Sequence, residues 1–245
     1  MKRYLVLVII LLDSTAWAVD LTVSAAISLT QAFQEVGTQF EIQNPGSKIK
    51  FNFASSGMLL QQILNGAPVD VFASADSDTM DKAIAKNAVS TSDSKVFTFN
   101  KLVVVTTTQS NLVLKQLADL KKPEIKRIAM GLPASVPAGH YAQAALDKAG
   151  LSNELKDKII GTQNVRQSLD YVAREEVDAG FVYISDALLM PDKVKVAFIV
   201  PTVSAIQYPI AKVSTTTQPE LANKFISFVL SANGQAILKK FGFGN

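Results

Sequence analysis

The side chains able to do chemistry in this 245-residue chain are few, and most are neutral. With no Cys there is no thiolate nucleophile, no disulfide and no cysteine-based zinc or iron–sulfur site. The single His, His140, cannot supply the two or three imidazoles of a typical zinc site. It follows Gly139 near a helix start and reads as a surface or rim residue. No GxSxG, GxGxxG or GxxxxGK[ST] occurs, so the nucleophile elbow and the nucleotide fingerprints are absent. An acid–base carboxylate pair stays open on the residues alone, although Glu175-Glu176 reads as the solvated end of a helix. The 24 basic residues against 21 acidic ones leave a net charge of +3 with no basic stripe, so nucleic acid is not an expected partner.

What stands out is a set of small or polar residues where strands give way to helices. Ser28 precedes a helix with Gln31 three residues on, the spacing of a capping box. Ser55-Ser56-Gly57 opens a second helix, and Val136-Pro137-Ala138-Gly139 a third, with Pro in the first turn. Asn164-Val165-Arg166-Gln167 repeats the capping-box spacing. Each turn alone is explained by capping, worth about 1 kcal/mol in any protein. Together they point elsewhere, because open parallel sheets bind ligands where strands end and helices begin. Free N–H groups and the helix dipole make those ends favourable for anions. Four such starts around one cleft would form an anion site without a cation.

The elements that must position these turns alternate. Strand-like segments are 21–26, 48–54, 69–75, 127–133, 180–185 and 194–200, with 206–213 extended. Helix-like segments are 28–43, 55–66, 77–87, 137–150, 164–179 and the closing stretch 219–243. In the first helix Leu29, Phe33, Val36 and Phe40 share one face. Asp76 is the expected cap of 77–87. The alternation predicts parallel sheets flanked by helices, and its restart after the β-rich run 96–106 predicts two lobes. The 96–106 run and the 200–210 stretch are the candidate crossings. Apolar residues make up 48% of the chain and charged ones 18%, as expected of a folded globular protein.

The first eighteen residues read as an address. Lys2 and Arg3 precede an apolar run from Tyr4 to Leu12, too short to cross a bilayer of about 30 Å. Ala16-Trp17-Ala18 fits a small-x-small cleavage site, so 1–18 is expected to be a secretory signal. No Cys follows the apolar run to carry a lipid anchor.

The segments SAAISLTQAF, FNFASSGMLLQQILNGAPVDVFASAD, VPAGHYA, NVRQSLDYVAREEVDAGFVYISDA and YPIA resemble those of the periplasmic molybdate-binding proteins of ABC transporters. The resemblance runs from about Leu21 to GQAILKKFGF near the C-terminus. It implies an α/β, two-lobed type II periplasmic binding-protein fold, each lobe a mostly parallel sheet flanked by helices, with a cleft between. The lobes would be 19–99 with 203–245, and 100–202. By motif, the residues implied to hold molybdate through its oxygens are Ser28, Ser56, Ala138, Val165 and Tyr183. Ser28 and Ser56 would donate from hydroxyl and backbone, Ala138 and Val165 from backbone only, and Tyr183 from its phenol. Arg166 is adjacent but, as a helix-surface residue, is not expected to be a ligand. Also implied are a monomeric periplasmic carrier rather than an enzyme, tungstate as a second ligand, and a membrane permease driven by a cytoplasmic ATPase. There is no cofactor and no direct metal ligand in this reading, and the alternative is the same fold serving sulfate or another tetrahedral oxyanion. Ferric iron is disfavoured because no Tyr-Tyr pair occurs. Two departures from the family pattern are the polar His140 after VPAG and Gly57, which would loosen the turn after Ser56.

Overall fold

The structure is a computed structural model and describes residues 19–244. The expected signal segment 1–18 lies outside the described residues. The strands are β1 (Val19–Ala26), β2 (Ser47–Ala54), β3 (Val71–Ala73), β4 (Lys95–Asn100), β5 (Leu102–Thr107), β6 (Ile128–Gly131), β7 (Ile159–Thr162), β8 (Ala179–Tyr183), β9 (Val194–Ile199) and β10 (Ile206–Lys212). The helices are α1 (Thr30–Gln43), α2 (Ser56–Leu64), α3 (Ser77–Ala85), α4 (Pro137–Lys148), α5 (Ser152–Leu155), α6 (Val165–Ala173), α7 (Ile184–Ala187), α8 (Pro219–Leu230) and α9 (Ala232–Lys240).

Two five-stranded sheets form, ordered β2-β1-β3-β10-β4 and β7-β6-β8-β5-β9. The run 96–106, read as one β-rich stretch, is split at Lys101. Its first half joins the first sheet and its second half the other. The chain returns between β9 and β10, through Val200 to Ala205. These returns correct the expectation of mostly parallel sheets. The β1–β2 and β1–β3 pairs are parallel, as are β6–β7 and β6–β8. The strands that carry the chain across, β4, β5, β9 and β10, pair antiparallel. A strand that re-enters a sheet directly from the other lobe, without a crossover helix, runs the opposite way.

The first sheet is covered on both faces. On one, Phe33 and Phe40 of α1 meet Phe225 of α8 edge-on at 6.1 and 5.4 Å, and Phe97 of β4 packs 5.7 Å from Phe33. On the other, Leu59, Leu60 and Ile63 of α2 cluster with Phe72, Met80 and Val213. The alternation of helices after strands thus places the starts of α1 and α2 at the carboxyl ends of β1 and β2. In the second sheet β6 leads to α4 and β7 to α6 in the same way. Gly139 of α4 lies so near Gly131 of β6 that a Cβ there would sit 1.9 Å from the Gly131 carbonyl oxygen. The two glycines therefore let the start of α4 seat directly on the end of its strand.

Candidate functional site

The four helix starts face one another across the gap between the sheets. A narrow pocket between them is lined by Ala26, Ile27, Ser28, Ala54, Ser55, Ser56, Ala75, Val136, Pro137, Ala138, Val165 and Tyr183. All five residues singled out from the sequence, Ser28, Ser56, Ala138, Val165 and Tyr183, are in this lining, and no charged side chain is. Each of the five is buried: Ser28 and Val165 at 3% exposure, Ser56 at 0%, and Ala138 and Tyr183 at 1%.

Backbone donors come from the helix ends. Ser56 and Val165 are the first residues of α2 and α6, so their N–H groups precede the first intrahelical bond. Pro137 opens α4 without an N–H, which makes Ala138 the first residue of that helix able to donate. The hydroxyls are aimed by other donors. Ser56 Oγ accepts the Ala75 N–H at 3.0 Å, which leaves its own proton free. Ser28 Oγ lies 3.0 Å from Tyr208 Oη, and Tyr208 Oη accepts from Asn100 Nδ2 at 3.3 Å. An amide can only donate there, which leaves the phenol proton able to serve Ser28 Oγ and the Ser28 proton able to turn to the pocket. Tyr183 Oη lies 3.5 Å from the Ala75 carbonyl oxygen, so that bond is weak and the phenol is available. Burial pushes both Tyr183 and Tyr208 well above the usual phenol value, so each stays protonated and each remains a donor.

Several local expectations need correction. Ser28 does not cap α1. It sits within a short 3-10 turn, Ile27–Leu29, and makes no side-chain cap bond. Gln31, expected to close that capping box, accepts from Arg166 instead, at 2.9 Å. At Asn164 half of the box forms: its side chain accepts from Gln167 N at 3.0 Å, while Gln167 Oε1 accepts from Gln163 N. Asp76 caps α3 as expected, accepting from Thr79 N at 3.2 Å. Gly57 does not loosen a turn. Its N–H donates across the gap to the Ser135 carbonyl at 3.1 Å, and a Cβ on it would lie 2.7 Å from that oxygen. The sequence has no adjacent tyrosines, yet the fold brings Tyr183 and Tyr208 to 5.8 Å between ring centres.

Arg166 is more than a surface residue. Its side chain is 17% exposed, and its Nε pairs at 2.6 Å with Asp186, which is completely buried. Its terminal nitrogen donates to the Ser28 carbonyl at 3.2 Å and to Gln31 Oε1 at 2.9 Å, so one guanidinium ties α6 to the first lobe. Burial raises the Asp186 carboxyl and Arg166 opposes that rise. Asp186 also accepts the Tyr183 N–H at 3.2 Å and so fixes the end of β8. His140 is half-exposed on the rim, where its Nε2 lies 3.1 Å from Asp78 of α3. Tyr208, Asn100, Ser55, Asp186 and the reach of Arg166 had no assigned role in the sequence. The available signal was membership of the quoted motifs, which carry Ser55 in FNFASSG, Arg166 in NVRQ, Asp186 in GFVYISDA and Tyr208 in YPIA but leave out Asn100. Among the described residues no group of three or more His, Asp or Glu could hold a metal ion.

This arrangement of paired sheets and facing helix ends recurs in known proteins. A family model of bacterial extracellular solute-binding proteins matches residues 21–244. The chain belongs to that family. Its members are binding proteins, not enzymes. The Molybdate-binding protein ModA of Escherichia coli (strain K12) is 36% identical to this solute-binding protein over 230 residues, covering 91% of this chain and 88% of the relative. Two solved structures share the fold. The periplasmic molybdate-binding protein of Azotobacter vinelandii aligns with a TM-score of 0.81 at 24% identity, over 92% of this chain and 99% of that one. The sulfate-binding protein SubI of Mycobacterium tuberculosis aligns with a TM-score of 0.84 at 16% identity, over 92% and 86%. At those identities the two structures speak for the type II two-lobed α/β architecture alone.

Proposed function

We propose that this protein captures molybdate, and tungstate comparably, between its two lobes and delivers it to the membrane permease of an ABC transporter. The observation that carries the reading is the uncharged, donor-rich pocket in which Ser28, Ser56, Ala138, Val165 and Tyr183 converge. Molybdate at neutral pH is a tetrahedral dianion without a proton and can only accept hydrogen bonds. Helix starts carry about half a positive charge each, so α2, α4 and α6 together offset much of the buried charge. A hydrogen bond to an ionised group contributes about 1.5–3 kcal/mol, and about six would cover a nanomolar affinity, near −12 kcal/mol, after the costs of association. Phosphate keeps a proton near neutrality and would turn it toward a pocket with no carboxylate in its lining. Sulfate, also unprotonated, differs in size, and a sulfate carrier on the same frame is the second reading.

Donors from both lobes meet one ion only when the lobes are together, so binding favours the closed form, which would dock on the permease and its cytoplasmic ATPase. The lobes in this reading are 19–99 with 203–245, and 100–202. The protein would be exported to the periplasm as a monomer after cleavage of 1–18. Thermal unfolding at neutral pH with molybdate, tungstate, sulfate or phosphate tests the ligand. An ion at a thousand times its dissociation constant stabilises by about 4 kcal/mol. Molybdate and tungstate should shift the midpoint together and phosphate should not. A shift with sulfate and none with molybdate would replace this reading by the second.

A further inference from the structure

Ser55 is the one serine of the pocket lining whose hydroxyl is not engaged. Its Oγ is fully enclosed and has no hydrogen-bond partner among the described residues, and the residue is 3% exposed. It occupies the cap position of α2 with extended backbone angles, φ −65° and ψ 146°, but makes no side-chain cap bond. The cap role is displaced because the N–H of Gly57, one of the groups a cap would satisfy, donates across the gap to Ser135 instead. A hydroxyl enclosed without a partner is costly, and in native proteins such a group commonly meets an ordered water, an ion or a ligand. The surrounding lining offers little: Ser56 Oγ and Ser28 Oγ already serve Ala75 and Tyr208. An acceptor-only ion seated on the N-terminus of α2 meets this need. We propose that Ser55 is a further binding residue, its hydroxyl donating to the tetrahedral oxyanion beside the five donors named above. The inference rests on the oxyanion reading of the pocket. It assigns the FASSG turn two hydroxyl donors, Ser55 and Ser56, rather than one.

The test is isothermal titration of sodium molybdate into the mature protein and its Ser55→Ala and Ser55→Thr variants, with thermal unfolding of each in the absence of ligand. Ser55→Ala should weaken molybdate binding about 10- to 100-fold, the worth of one hydrogen bond to an ionised group. Its ligand-free unfolding midpoint should not fall, because no cap bond is lost. Ser55→Thr, which keeps the hydroxyl, should retain more affinity than Ser55→Ala. If Ser55→Ala binds molybdate as tightly as the parent, Ser55 is not a donor and the inference is overturned while the pocket reading stands. Should affinity drop only in step with ligand-free stability, and Ser55→Thr give no rescue, the residue is a structural cap and the inference is again overturned. If the parent itself binds no molybdate, the oxyanion reading fails and takes this inference with it.

Discussion

Gly57→Ala separates closure from folding more cleanly than any change to a donor. A methyl group at this position would lie 2.7 Å from the Ser135 carbonyl oxygen and 2.8 Å from its Cα, against an ordinary contact of 3.4 Å or more. Both contacts are backbone and cannot swing aside, so the lobes must part locally by roughly 0.7 Å. The Gly57 N–H to Ser135 bond, 3.1 Å long, is stretched or lost, worth about 1 kcal/mol. Ala138, on the same turn as Ser135, retreats from the ion with it. Weakening one charge-assisted bond adds about 1.5–3 kcal/mol at most, so molybdate affinity should fall about 10- to 100-fold. The ligand-free protein should change far less. Gly57 is the second residue of α2, and Ala there restricts the unfolded chain and stabilises by about 0.4–1 kcal/mol, which offsets most of the lost Ser135 bond. Isothermal titration with molybdate, paired with denaturant unfolding of the ligand-free protein, reads both effects. An unchanged dissociation constant, or an affinity loss that tracks a loss of stability, refutes the reasoning.

Other consequences follow from the buried carboxylates. Arg166→Met leaves the fully buried Asp186 without its cation, which should cost about 3–5 kcal/mol at neutral pH. The Asp186 carboxyl, already raised by burial, then rises further, so the lost stability returns as the pH falls and the group is neutralised. Urea unfolding at neutral pH and near pH 4.5 checks this, and a loss equal at both would refute it. Burial likewise raises the Asp76 carboxyl above 3.8. A carboxylate with a raised folded value is neutral in both states at low pH and costs stability once ionised. Its contribution is therefore lost as the pH climbs from about 3.8 through the folded value. Asp76→Asn should remove that part of the acid-side stability profile, measured as the slope of unfolding free energy against pH in the parent and the variant.

The periodic features of the chain were legible because a few local rules govern them. Phe33, Val36 and Phe40 were readable as one helix face since burial against Phe225 needs a 3.6-residue repeat. Asp76 was readable as a cap since its partner, Thr79, is three residues away. What sequence reasoning missed depends on contacts remote along the chain. Gln31 stands at capping-box spacing from Ser28, yet its partner is Arg166, 135 residues on. Tyr208 reaches Ser28 over 180 residues and Asn100 over 108. The antiparallel insertion of the crossing strands escaped the alternation rule for the same reason, since pairing across lobes leaves no local periodicity. That Ser28, Ser56, Ala138, Val165 and Tyr183 would share one pocket lining was legible only through the likeness of whole motifs. A serine or an alanine at a helix start carries no mark of its ligand.

In the oxyanion reading proposed above, the contacts that tie the lobes together would set the binding strength of the pocket as much as its donors do. Gly57 meets Ser135, Arg166 meets the Ser28 carbonyl and Gln31, and His140 meets Asp78. A site that exists only when the lobes meet binds with its intrinsic affinity reduced by the fraction of molecules already closed. Each standing contact raises that fraction and lowers the share of ion-binding energy diverted to closure. The contacts differ in weight. His140 and Asp78 are both well exposed, so their attraction is screened and worth little. The Arg166 group is nearly enclosed, and its hydrogen bonds to the first lobe carry charge. Its first-lobe acceptors, the Ser28 carbonyl and Gln31, lie in and just after the turn whose Ser28 hydroxyl is proposed to meet the ion. The strongest of these ties therefore acts on the Ser28 turn itself, so in the proposed reading closing the cleft and shaping the pocket would be one event.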